Sequence, residues 1–364
     1  MFKKYRILKW ILTILVTFIA VIIMLGIYMV SLLPEEDATL VTSEAKDISY
    51  ITNDIPPYRG KILAVVTSTD TMGTSTKSTG YELTELARAY YVFKANGFEV
   101  DIASPLGGLP PVVVDDDDMG EFDYAFLNDD VPQNKLKNSL PLKDVDTQAY
   151  EAIYFVGGKG AMFDFPDNKY LQEIIRDFHY NNKVIGAVCH GPAAFVNVKL
   201  NNGDWFLKNK KVSSFTNKEE LLLIPNATTI FPFLLQDKLI EQGGEFQEGI
   251  MYLEKMSRDE NLITGQNPWS VWVLAEAMVQ QMGYTPKPRL ITAEENAVKV
   301  LEVYETKGLD NSKAVINKMI LENNQSVSRS LLVNHSIVAA IQGDLTRFRN
   351  MLQLAAYVKG KTNN

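Results

Sequence analysis

Cys189 is the only cysteine in a chain of 364 residues, and it has the neighbours that nucleophilic chemistry needs. It lies in "KVIGAVCHGPAAF", residues 183–195, after an uninterrupted apolar run and directly before His190, one of three histidines. A thiolate attacks aldehyde and acyl carbon. An adjacent imidazole moves protons near neutral pH. The apolar run, Cys-His-Gly and the residues after them read as strand, tight turn and helix, the layout of a nucleophile elbow. Ala187 and Gly191 fill the two small positions of that pattern. A helix after the turn aims its positive end at the thiol and favours thiolate. The alternative is an inert buried cysteine, a common fate of a free thiol. The elbow pattern alone does not choose between them.

Positioning such a turn requires a sheet. "KILAVVTS" (61–68), "FEVDIAS" (98–104), "AIYFVGG" (152–158), "KVIGAV" (183–188), "KKVSSF" (210–215) and "ENLITG" (260–265) read as strands. Helices are expected over "TGYELTELARAYYVFKANG" with Gly97 as its stop, near 168–182, after Cys189, from about Asn217, through "PFLLQDKLIEQGG" and over "PWSVWVLAEAMVQQMG". Strands alternating with helices predict an α/β domain at 61–284, a mostly parallel sheet sandwiched by helices as in flavodoxin-like folds. The active site of such a sheet lies off the carboxyl ends of its strands.

Charge divides the chain into three. Residues 1–33 carry four basic residues and no acidic ones, 34–284 carry 21 basic and 37 acidic, and 285–364 carry 11 and 7. The overall charge of −8 argues against nucleic acid as a partner. One cysteine excludes an intramolecular disulfide, a Cys-based zinc site and an iron–sulfur cluster. From Trp10 to Leu33 the chain runs 24 residues without a charge, long enough to span a bilayer. Lys3, Lys4, Arg6 and Lys9 precede the span, and Glu35, Glu36 and Asp37 follow it. The positive-inside rule then predicts a cytoplasmic N-terminus and an extracytoplasmic catalytic domain. The stretch is too long for the apolar core of a cleaved signal peptide. Residues 34–60 are expected to be a tether. The four aspartates at 115–118 lack the ligand spacing of a calcium loop and read as solvated.

The flanks of the cysteine carry a resemblance. "TGYELTELARAYYVFKANGFEVDIASPLGGLPP", "LPLKDVD", "YEAIYFVGGKGAMFDFPDN", "AVCHGPAAF", "SSFTNKEE", "PFLLQD" and "NLITGQNP" succeed one another over about 60–284. In order and spacing they resemble the PfpI/ThiJ superfamily, on the class I glutamine-amidotransferase-like fold, and within it the glyoxalase III and chaperone branch. The resemblance implies that Cys189 is the nucleophile, His190 its acid/base and Glu220 the carboxylate behind the histidine. It places Glu85 against the thiol and makes the N–H groups of Gly158 and His190 an oxyanion hole. Taken alone, Glu85 reads as a solvated helix charge like Glu82, and nothing physical prefers Glu220 to Glu219. Many relatives of this branch read G-H-G where this chain has Gly158-Lys159-Gly160. Lysine supplies charge there but exchanges protons poorly near neutral pH.

The implied activity is a cofactor-free, metal-free glyoxalase III acting on a small carbonyl or acyl substrate, methylglyoxal to lactate. Thiol-dependent hydrolysis (amidase, peptidase or deglycase) and a chaperone or redox sensor of the same family are the alternatives. True glutaminases take their histidine from a distant position, which sets glutamine hydrolysis aside. Residues 285–364 lie outside the resemblance and read as three or four amphipathic helices. Thr292 with Glu295 forms a capping box there. That tail is read as partner-binding, self-associating or structural. His179 is read as a helix-end residue, and His335 has no assigned role.

Overall fold

A computed structural model of the chain describes residues 2–35, 38–115 and 119–362. It divides into two compact units, Ala38–Arg289 and the pair of segments 1–37 and 290–364. Most of the aspartate run, 116–118, and Glu36 and Asp37 lie outside the described residues.

The larger unit is built on seven strands: β1 (Lys61–Val65), β2 (Glu99–Ser104), β3 (Leu140–Pro141), β4 (Ala152–Phe155), β5 (Val184–Val188), β6 (Met256–Asp259) and β7 (Leu262–Gly265). Their order is β6-β7-β5-β4-β1-β2-β3, parallel throughout except for the antiparallel β6–β7 edge. β4 and β5 are buried at every position. Strands covered on both faces read as continuous apolar runs, so these two were legible as strands. From β1 the chain winds outward through β2 and β3, then returns to β4 and winds the other way. That reversal places a crevice at the carboxyl ends of β1 and β4, where open α/β sheets bind ligands.

One face of the sheet packs on the helices Leu83–Ala95 and Val271–Gln281, around Tyr91, Phe93, Tyr154 and Trp272. The other packs on Lys169–Tyr180 and the turn after β5, around Phe155, Phe178, Phe195 and Phe206. Helix Leu83–Ala95 is buried at 12 of its 13 positions, so polar residues on it face protein rather than water. Arg88 meets Asp123 at 3.1 Å inside this layer.

Three expectations need correction. The tether is partly folded: short helices at Ala45–Asp47 and Ser49–Thr52 bury Ile48, Tyr50 and Ile51 in the core. Lys287 reaches back to the Tyr50 and Asn53 carbonyls, so the unit runs on to Arg289. "KKVSSF" is not a strand of the main sheet, because only Lys211–Val212 is extended and it pairs with Glu245–Phe246. After Cys189 the chain forms a five-residue 3₁₀ turn, Gly191–Phe195, not an α-helix. So short a turn carries little macrodipole.

The smaller unit contains the N-terminal helix Phe2–Leu32 and the helices Ala293–Lys307, Leu309–Asn317, Arg329–Ile341 and Leu345–Thr362. Lys9–Leu32 is apolar and long enough to cross a membrane, with a mean hydropathy of 2.8. The capping box forms as read: Glu295 accepts from the Thr292 N–H at 3.0 Å, and Thr292 Oγ1 accepts from the Glu295 N–H at 3.2 Å. Val300, Leu301, Ile316, Leu332, Met351 and Leu354 are buried within this unit.

Candidate active site

Cys189 comes directly after β5, and its backbone has φ +57, the left-handed region that L residues avoid. Two bonds hold it there. Its N–H donates to the Gly265 carbonyl at the end of β7, and its C=O accepts from the Phe215 N–H, both at 2.9 Å. Strain of this kind persists only where surrounding structure imposes it, and a sharp turn directly after a strand has the backbone layout of a nucleophile elbow. Gly191 completes the turn because a Cβ there would lie 2.3 Å from the Phe155 carbonyl oxygen.

The turn aligns three side chains. Cys189 Sγ lies 3.3 Å from His190 Nδ1, and His190 Nε2 lies 2.6 Å from Glu220 Oε2. The imidazole is buried between the rings of Phe215 and Phe231, at 4.7 and 6.4 Å between centroids. With Glu220 ionised, Nε2 carries the proton and Nδ1 is free to accept from the thiol. Burial works to raise the Glu220 carboxyl, but the charge and hydrogen bond of His190, with Lys159, hold it below the usual range.

Glu219 has a different environment. Its oxygens accept from the Thr216 N–H and hydroxyl, the Tyr252 N–H, Gln266 Nε2 and Asn267 Nδ2, all between 2.7 and 3.0 Å. It is the capping-box residue of helix Asn217–Leu223 and ties three loops together. Of two adjacent glutamates, one faces the histidine and the other is saturated by structural donors.

Glu85 is not a solvated helix charge, for it is fully buried beside the thiol. Its Oε2 accepts from the Gly157 N–H at 2.7 Å, and its backbone carbonyl accepts from the Tyr154 hydroxyl at 3.0 Å. A Cβ on Gly157 would lie 2.4 Å from Glu85 Oε2 and 2.8 Å from Cys189 Cβ, so only glycine admits both groups. Glu82, also read as solvated, is half-buried at the same crevice, and its N–H meets the Gly157 carbonyl. Burial raises its carboxyl, with Lys159 and His190 opposing. Glu82 lies in a two-residue strand, Tyr81–Glu82, paired with Val112–Val113.

Among the described residues, no acceptor lies on the backbone N–H groups of Gly158 and His190. Lys159 is half-buried, and its charge acts on Cys189, Glu82 and Glu220. The thiol departs from expectation. Burial pushes Cys189 well above the ordinary thiol range, the charges of Glu85 and Glu82 add to this, and Lys159 alone opposes. Burial and these carboxylates thus oppose a thiolate at this position.

His179 and His335 take no part. His179 lines a cavity with Lys183, Lys210 and Asp259 at the amino end of β5, the end away from Cys189, and His335 is buried in helix Arg329–Ile341. Among the described residues no cluster of metal-ligating side chains occurs.

A model of the DJ-1/PfpI family matches residues 76–281. Glyoxalase 3 of Candida albicans is 30% identical over 230 residues, covering 60% of this chain and 96% of that protein. A glutathione-independent glyoxalase of Schizosaccharomyces pombe is 29% identical over 57% of this chain and 90% of its own length. The crystal structure of a 24 kDa rapid encystment protein of Francisella tularensis aligns with a TM-score of 0.58 at 38% identity, over 62% of this chain and all of that one. The matched region contains Cys189, His190, Glu85 and Glu220, and the chain belongs to the DJ-1/PfpI family.

Proposed function

We propose that this protein is a membrane-anchored, cysteine-dependent glyoxalase that converts methylglyoxal and water to lactate without glutathione or another cofactor. The observation that carries the reading is the line from the strained Cys189 through His190 to Glu220, with Glu85 against the same sulfur. Names borne by the relatives point to the same chemistry.

The thiol adds to the aldehyde carbon as His190 Nδ1 takes its proton, and that proton passes to the aldehyde oxygen to give a hemithioacetal. The N–H groups of Gly158 and His190 steady the oxygen as charge develops. Glu85 then takes the hydrogen of that carbon as a proton. The resulting enediol is reprotonated on the neighbouring carbon, leaving an S-lactoyl thioester. Water cleaves the thioester, releasing lactate and the thiol. One carbon is oxidised and its neighbour reduced, so no external electron acceptor enters. Lys159 supplies positive charge to the enediolate oxygen and does not move a proton. Glu220 acts through His190 by fixing its tautomer.

Anchoring belongs to the same reading. Lys9–Leu32 spans the bilayer with the basic N-terminal residues inside and the catalytic unit outside. The test is lactate formation from methylglyoxal by the purified full-length chain, with no thiol cofactor present. Turnover that vanishes in Cys189→Ala is expected. An inert wild-type protein, or an active Cys189→Ala, removes the proposal.

A further inference from the structure

The long N-terminal helix does not end in solvent. Every side chain from Lys9 to Tyr28 is exposed, but Met29 is half-buried and Leu32 is 3% exposed. The helices that cover this last turn are Arg329–Ile341 and Leu345–Thr362, from the far end of the chain. Lys359 Nζ donates to the Ser31 carbonyl, one of the last carbonyls of a helix, which lack intrahelical partners. The apolar stretch of 24 residues is about 36 Å long at about 1.5 Å per residue, against a hydrocarbon core of about 30 Å. The C-terminal helices therefore begin where hydrocarbon would end.

The helix that supplies Lys359 also supplies Tyr357 and Lys361, and the residues grouped on Tyr357 suit a lipid interface. Lys313 and Lys361 both lie over the ring of Tyr357, at 5.8 and 5.2 Å. The Tyr357 hydroxyl donates to Asn317 Oδ1 at 3.0 Å. Asn317 leads straight into a π-helical turn, Lys318–Glu322, on which Leu321 is 61% exposed. Tyrosine, lysines and a bare leucine, on and beside the helix that meets the end of the apolar one, have the composition of a membrane–water boundary.

We propose that this end of the C-terminal helical unit is seated in the headgroup layer of the bilayer that the N-terminal helix spans. Leu321 enters the acyl boundary, and Lys313, Lys318 and Lys361 bind anionic phospholipid headgroups. The unit is thus a collar for the anchor, consistent with its position beyond the family match at 76–281. The proposal rests on the membrane-spanning reading of the N-terminal helix.

The test uses the full-length chain with Cys189→Ser and one of three labelling substitutions, Ile19→Cys, Leu321→Cys or Leu345→Cys, each carrying a nitroxide. Leu345 is 75% exposed and begins the helix that ends beyond Lys359, about 20 Å away along its axis. Protein is reconstituted in vesicles of phosphatidylcholine, alone or mixed with phosphatidylglycerol, and label depth is read from collisions with oxygen and with an aqueous nickel chelate. The label at 19 should read deep, at 321 interfacial and at 345 aqueous. In the anionic vesicles, Lys313→Gln and Lys361→Gln should each lower the seated population at 321 about fivefold. Equal readings at 321 and 345 with a deep label at 19 overturn the collar and leave the span standing. An aqueous label at 19 removes the span and the collar with it. Unchanged far-ultraviolet dichroism across the variants guards against misfolding.

Discussion

Glu219 and Glu220 are adjacent and identical in type, so replacing each by glutamine separates structure from chemistry. In Glu220→Gln the 2.6 Å contact to His190 Nε2 loses its charge. The amide can donate to Nε2, which drives the ring proton to Nδ1 and turns that nitrogen from acceptor to donor toward the thiol. Loss of a positioned base costs about 10²–10⁴-fold in rate, so kcat should fall about 10³-fold, equivalent to about 4 kcal/mol of barrier. KM should hold, because Glu220 touches no substrate. In Glu219→Gln, one amide NH₂ must face donors now served by carboxylate oxygens. Losing about two such bonds costs about 3–6 kcal/mol of stability, or at least about 6 °C in Tm. Methylglyoxal kinetics and thermal unfolding of both variants check this. If Glu220→Gln keeps more than about a tenth of wild-type kcat, or if both lose rate only in step with Tm, the assignment of Glu220 is wrong.

Alkylation of Cys189 should have its pH midpoint at or above the ordinary thiol value of about 8.5. Glu85→Gln should lower that midpoint and Lys159→Ala should raise it, in keeping with the charges that face the sulfur. Cys189→Gly should be more stable than Cys189→Ala by about 1 kcal/mol in denaturant titrations, since only glycine is at ease at φ +57; equal stabilities would mean that the elbow stores no strain. Burial raises Asp164 to about 6, against bonds from the Ser68 N–H and the Thr67 hydroxyl. The folded state thus holds a proton that the unfolded chain releases near 3.9, and this residue's contribution falls as pH rises from about 4 to about 6, by about 3 kcal/mol. The difference in Tm between wild type and Asp164→Asn should change across that window and be flat above it.

Sequence made the central strands and the elbow legible for one physical reason. Parallel strands buried on both faces leave unbroken apolar runs, and a cysteine at the end of one, before His-Gly, reads as a tight turn that lifts the thiol off the sheet. Edge elements left weaker traces: β6 is the polar "MSRD", whose pattern resembles a loop. Ile48, Tyr50 and Ile51 are too few to announce that the tether folds onto the core. Choosing between Glu219 and Glu220 needs the direction of each side chain on its helix, which spacing does not give. The thiol differs from expectation chiefly because it is buried; two acidic side chains also sit nearer than any sequence interval suggests, and the expected helix dipole is only a short 3₁₀ turn. Pairing of the first helix with the last spans more than 300 residues, beyond any local pattern.

The central claim is that Cys189 bonds covalently to the substrate carbon during turnover. Full-length protein mixed with methylglyoxal and quenched in acid within the first turnovers should carry one added substrate mass, mapped by peptide mass spectrometry to Cys189. The adduct should accumulate in Glu85→Gln, where the carbon proton has no base, and be absent in Cys189→Ser. Lactate formed at the wild-type rate with no adduct on Cys189, or with turnover preserved in Cys189→Ser, would contradict the account.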